Sequence, residues 1–170
     1  MRLLQRLFGG PDRGTAPALY QAVVARGRKP HWYADGAVPD TIDGRFDMIA
    51  AILSLVLIRL ESDPAGVAQG ALLTEVFIED MDGQLRQIGI GDIVVGKHMG
   101  RMMAMLGGRI GAYRDGVAAK DLGAALIRNL YRGAAPGAEA LAHVETAMFA
   151  LHESLGRASI ESLIAGEIPA

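Results

Sequence analysis

The residues from Phe46 to Leu60 constrain the fold more than any other part of the chain. Phe46, Ile49, Ala50, Leu53, Leu57 and Leu60 recur at helical spacing, and Val56 and Ile58 extend the apolar surface almost all round the axis. A helix that is apolar on nearly every side needs neighbours on nearly every side. The run from Met48 to Ile58 is interrupted only by Ser54 and stopped by Arg59, which leaves it short of the roughly 20 residues that cross a bilayer. It therefore predicts a buried helix inside a bundle. Asp40-Thr41-Ile42-Asp43 supplies an acidic start, and Asp63-Pro64 with Gly66 supplies a stop.

Other segments read as helices around that one. Residues 1–14 form a basic amphipathic arm, with Leu3, Leu4, Leu7 and Phe8 apolar between Arg2 and Arg6; such a piece either packs on the domain or lies on an anionic membrane surface. Residues 15–170 form one helical domain. Thr15 is placed to cap a helix running to about Arg26. Pro30 to Pro39 is expected to be a loop in which Trp32 and Tyr33 either cover the core or touch a partner. A helix from Val67 to Leu85 carries its apolar period across Gly83, and Ile88 to Asp92 is the break after it. A basic, Met-rich helix then starts at Asp92 and is expected to be interrupted at Gly107-Gly108. Further amphipathic helices are expected over Ala118 to Tyr131, Gly137 to Leu155 and Ser159 to Ile164. No segment alternates with period two. The expected fold is an all-α, single-domain bundle of about six or seven helices.

Composition narrows the function. A chain of 170 residues buries one sizeable core. At 51% hydrophobic residues and a mean hydropathy of +0.23, it has apolar surface left for a partner. With no cysteine there is no disulfide, thiolate metal site or cysteine nucleophile. The N-terminus lacks the apolar core of a secretory signal, so the expected location is cytoplasmic, with peripheral membrane contact through the arm. A net charge of −2 argues against a nucleic-acid partner. That balance hides blocks, because residues 1–29 and 83–132 are basic while residues 30–82 hold ten Asp/Glu against two Arg. Opposed faces, or faces that pair with each other, both give such an alternation.

Charge sign, glycine placement and apolar spacing all change between Leu73 and Met103. Asp80-Met81-Asp82-Gly83 begins like a calcium loop, but its glycine stands at position four instead of six and no Glu follows at twelve. Gly89 and Gly91 lack the third glycine and the strand of a dinucleotide site. No Glu is followed by a His three residues on, and there is no P-loop or nucleophile elbow. His143 and His152 read as surface or cap residues. No cofactor is expected. Asp80, Asp82 and Asp92 with Arg86 and Lys97 form either an acid–base pocket or an ion-pair network. Met81, Met99, Met102, Met103 and Met105 are either core filler or the adaptable surface of a protein that grips apolar helices.

Phe77-x-x-Asp80-Met81-Asp82-x-x-Leu85-Arg86, followed by Gly89-x-Gly91-Asp92-x-x-Val95-x-Lys97-x-Met99, resembles the signature of the ubiquinol-cytochrome c chaperone family, assembly factors of the cytochrome bc1 complex. Pro39 to Asp47, Arg59-Leu60 and Arg128-Asn129-Leu130-Tyr131 extend the resemblance over about Tyr20 to Tyr131. Many members carry a Leu-His pair where Ala51 and Ile52 stand here. The resemblance implies an all-α, non-enzymatic chaperone of bacterial type that binds newly made cytochrome b. It also implies work near the ribosome or translocon and close to the membrane. The client-binding residues it points to are Phe77, Asp80, Met81, Asp82, Leu85, Arg86, Asp92, Lys97, Met99, Arg101 and Met102. The rival is a small helical enzyme that uses Asp80, Asp82, Asp92 and Lys97 on a soluble metabolite; a third reading is a structural adaptor for the same complex. A deep enclosed polar pocket at that cluster would favour the enzyme, and an open apolar groove rimmed by charge the chaperone.

Overall fold

The computed structural model describes residues 13–87 and 92–169, and all of their side chains except those of 84–86, 92–96, 98, 99, 101 and 102. The arm before Arg13 and the glycine turn at 88–91 lie outside the described residues. Eight helices follow in order among the described residues: α1 (Ala16–Gly27), α2 (His31–Ala34), α3 (Ile42–Glu61), α4 (Val67–Gln87), α5 (Asp92–Ala119), α6 (Gly123–Asn129), α7 (Ala138–Arg157) and α8 (Ile160–Ile164). None of them is a candidate membrane span.

Helix α3 is the hub. It packs on α1, α4, α5 and α7, while α6 bridges α5 to α7 and α8 closes over α1. Every residue from Met48 to Leu57 is buried, as the unbroken apolar run requires. Ser54, the one polar residue in that run, donates its hydroxyl to Ala50 O at 2.7 Å and so leaves no unsatisfied group in the core. Ala51 and Ile52 are fully buried in the core. The entry to α3 explains the motif around Gly44. Thr41 accepts a hydrogen bond from Gly44 N at 3.1 Å, and a Cβ on Gly44 would lie 1.9 Å from Pro39 O, closer than any side chain tolerates.

Four expectations are corrected. Residues 30–39 are not all loop: α2 forms there, and Trp32 is 1% exposed, with its indole N–H donating to Arg26 O at 2.8 Å. That makes Trp32 a core residue instead of a partner contact. Thr15 makes no side-chain cap to its own helix; its hydroxyl donates to Ile164 O, which ties the start of α1 to α8. Gly107-Gly108 does not interrupt α5. Two interior glycines cost about 1 kcal/mol each against Ala, but Leu106, Arg109 and Tyr113 bury on either side of them and hold the helix straight through. Finally, Ala118 to Tyr131 is two elements. Lys120 takes φ 56°, and Asp121 accepts from Gly123 N at 3.0 Å, which ends α5 and starts α6.

One carboxylate in the core holds three elements together. Asp47 on α3 is 1% exposed. Its Oδ1 accepts from Arg109 Nη2 of α5 at 2.6 Å, and its Oδ2 accepts from Arg132 Nε, beyond α6, at 2.6 Å. Arg132 also donates to Asp43 at 2.8 Å. Removing one member of a buried pair leaves the other charge uncompensated, at a cost of about 3–5 kcal/mol. Asp47→Ala is therefore expected to lower the urea unfolding free energy by about 3 kcal/mol or more. Arg132→Ala, whose side chain is half exposed, is expected to lose only about 1 kcal/mol. Equal losses for the two variants would show that Asp47 is not the joint.

Candidate functional site

Three helices leave an open apolar groove between them. Val67, Gly70, Ala71 and Thr74 of α4 face Met103, Leu106, Gly107 and Ile110 of α5, with Leu57 and Glu61 of α3 beneath, around a volume of about 280 Å³. Small residues make the groove: Gly70 and Ala71 on one side and Gly107 on the other leave space that larger side chains would fill. Thr74 donates its hydroxyl to Gly70 O at 2.9 Å, so the groove gains no free donor from it. Large apolar side chains remain in contact with water at the lip, where Val67 is 56% and Met103 45% exposed, with Met105 at 47% on the adjoining face. The ion pair of Arg114 with Glu61 stands at one end. The groove is open and mostly apolar.

The motif residues of α4 set the position of that groove from below. Phe77 is 1% and Met81 7% exposed; both are core residues and act on the surface only by placing α4. The Phe77 ring lies 5.9 Å from Phe46 and edge-on to Tyr20 at 6.3 Å. The Arg109 guanidinium lies 5.3 Å from the Phe46 ring centre, so the aromatic cluster and the buried ion network share one wall. Asp80 accepts the Tyr20 hydroxyl at 2.7 Å, and burial together with that carboxylate pushes the Tyr20 phenol far above its ordinary range. Asp82 is half-buried and Lys97 is exposed on α5. The side chains of Leu85, Arg86, Asp92, Met99, Arg101 and Met102 lie outside the described residues. Among the described residues no group of three or more His, Asp or Glu is arranged to hold a metal ion.

Sequence reasoning missed a histidine pair. His31 Nδ1 lies 3.0 Å from His143 Nε2, and the His31 ring packs at 4.1 Å on Trp32. Both rings are half-buried, not the surface or cap positions expected of His143 and His152; His152 is half-buried too, with a buried Nδ1 that has no hydrogen-bond partner among the described residues. The two paired residues stand 112 apart in sequence, and nothing in the local pattern of either announces the other. Only the turn of helix at α2 brings them together.

A family model described as ubiquinol-cytochrome C chaperone matches residues 34–170. The crystal structure of the Cbp3 homolog from Brucella abortus superposes with a TM-score of 0.81 at 32% identity, covering 98% of this chain and 94% of that one. No curated protein matches the sequence.

The paired imidazoles give the fold a pH signature independent of any partner. A hydrogen bond between two imidazoles needs one of them as acceptor, hence neutral. Burial, followed by the facing His143 and the nearby Lys29 and Arg26, holds the His31 pKa below its ordinary 6.5. A depressed folded-state value means that the unfolded chain binds more protons, so this contribution is complete above about pH 6.5 and is lost as the pH falls through the folded value. The urea midpoint of the native chain is expected to drop further between about pH 7 and pH 5 than that of His31→Asn. Identical drops would remove the pair from the account.

Proposed function

The chain belongs to the ubiquinol-cytochrome c chaperone family, and on that premise we propose that it is an assembly chaperone that binds newly made cytochrome b during biogenesis of the cytochrome bc1 complex. The observation that carries this reading is the near end-to-end agreement with the Cbp3 homolog at 32% identity, which leaves little of either chain unmatched. The surface supports it. A protein that holds the apolar helices of a membrane subunit needs an exposed apolar face that tolerates varied partners, and flexible Met side chains beside a small-residue floor supply one. The client face proposed is the α4–α5 corner: Asp80, Asp82, Leu85, Arg86, Asp92, Lys97, Met99, Arg101 and Met102 around the turn, continuing into the groove at Met103, with Phe77 and Met81 as its support. Work on a nascent membrane protein sets the chaperone in the cytoplasm near the ribosome or translocon, with the basic arm of residues 1–14 toward the membrane.

The enzymatic rival is less well supported. Of its four residues, Asp80 already accepts the Tyr20 hydroxyl and Lys97 is exposed. The α4–α5 groove is mostly apolar and offers little to polarise a substrate.

Deletion of the chaperone is expected to lower the cytochrome b haem absorbance of isolated membranes and the content of assembled bc1 complex; normal levels in the deletion strain would sink the proposal. Met103→Glu changes an exposed side chain, so it should leave the unfolding midpoint in place while cutting co-purification of cytochrome b by about tenfold, the scale of one apolar anchor in an interface. Full recovery of cytochrome b with that variant would move the client off the groove.

A further inference from the structure

On the neighbouring face of α5, a second open recess of about 350 Å³ lies against α6, lined by Ala104, Met105, Gly108, Arg109, Arg128 and Asn129. Its chemistry differs from that of the groove. Arg109 is 9% exposed, and while its Nη2 is engaged by Asp47, its Nη1 is buried and donates to no group among the described residues. Folded proteins rarely leave a buried guanidinium nitrogen without an acceptor, since the loss is about 1–3 kcal/mol or more. Arg128, exposed at the recess, forms no ion pair or hydrogen bond among the described residues. It also borders an adjoining recess with Asp115 and Asp121, but neither carboxylate pairs with it. Asn129 donates one amide hydrogen to Ala125 O at 2.9 Å, and a carboxamide has a second to give.

The charge count fixes the kind of occupant. Asp43 and Asp47 against Arg109 and Arg132 make the network around Asp47 neutral. Arg128 stands outside that balance and pairs directly with no carboxylate among the described residues, so the single cation it presents suits a monoanion better than a phosphate dianion. Planar guanidinium groups match a carboxylate. Met105, Ala104 and Gly108 offer apolar surface next to the cations, and the recess is open, so it takes the end of a side chain or of an alkyl chain. We propose that the α5–α6 recess binds a single carboxylate carried on an apolar stem, with Arg128 and Arg109 on the anion and Met105 along the stem. This assignment does not depend on which client the chaperone holds. The same chemistry is presented by an acidic side chain within an apolar segment of a partner and by a free aliphatic acid.

The test titrates sodium octanoate into the full-length protein and follows the Arg109 Nε–H and Asn129 side-chain amide signals by proton–nitrogen NMR. Octanoate is expected to shift both signals saturably, and octan-1-ol is not. Arg128→Gln, which alters an exposed side chain and should keep the thermal midpoint, is expected to weaken octanoate binding about fivefold, the effect of one partly exposed ion pair. A second arm competes octanoate with an apolar helical peptide bearing one Glu and with its Gln twin. Displacement by the Glu peptide alone identifies an acidic side chain as the occupant, and displacement by neither peptide leaves a free aliphatic acid. The proposal is overturned if octanoate gives no saturable shift, if octan-1-ol matches it, or if Arg128→Gln binds octanoate as well as the native chain does.

Discussion

The carboxylate of Asp47 is the interaction on which the rest of the bundle depends. It sits on the most buried helix, where an unpaired charge would cost several kcal/mol, and it is satisfied from two elements 62 and 85 residues further along the chain. One of those partners sits on α5 and the other just after α6. Helix α5 carries several glycines in its interior, and α6 is seven residues long. Arg132 takes φ 52° with Gly133 after it at φ 87°, a strained backbone for a residue with a Cβ, at roughly 1 kcal/mol or more. The double contact to Asp47 and Asp43 offsets that strain. Just before it, the Tyr131 hydroxyl donates to Gly36 O at 2.6 Å, so the segment after α6 is fixed to α3 and to the residues following α2 at the same corner.

The four charge blocks of the sequence become intelligible from this joint. Arg13 pairs with Glu79, Arg109 and Arg132 with Asp47, Arg132 with Asp43, and Arg114 with Glu61. Each of these joins a basic block, 1–29 or 83–132, to the acidic block 30–82. The alternation therefore records pairing between distant helices instead of opposed solvated faces. Most such surface pairs are weak individually; the buried one decides the register of α5 on α3.

Legibility in the sequence followed how local the cause was. Helix α3 was readable because burial on all sides leaves an unbroken apolar run, and α4 because its period continued through Gly83. Helix α8 was readable because Ser159 caps it, accepting from Ser162 N at 3.1 Å. Helix α2 was hidden, since four residues carry no period and its stability comes from Trp32 and His31 packing on parts of the chain far away. The α5–α6 boundary was hidden because it depends on a positive φ at Lys120, a residue type that does not advertise that conformation. At the proposed client corner the pattern did not report depth. Phe77 and Met81 were candidates for contact and are buried, because their neighbours Tyr20 and Phe46 come from α1 and α3. No spacing rule within α4 reports that company.

Helix α5 joins the stable and the exposed halves of the molecule. On one side Leu106, Arg109 and Tyr113 are buried against α3 and hold the helix in register. On the other, Gly100, Gly107, Gly108 and Gly111 each have open space where a Cβ would stand. Nothing in the isolated fold requires glycine at these positions. Alanine would fit all four without a clash and would favour the helix by about 1 kcal/mol at each. Stability is thus forgone along one face of one helix, and that face borders both the apolar groove and the cationic recess. A missing Cβ lets another backbone approach closely, so a second chain lying against α5 would offset what these glycines lack in helix propensity.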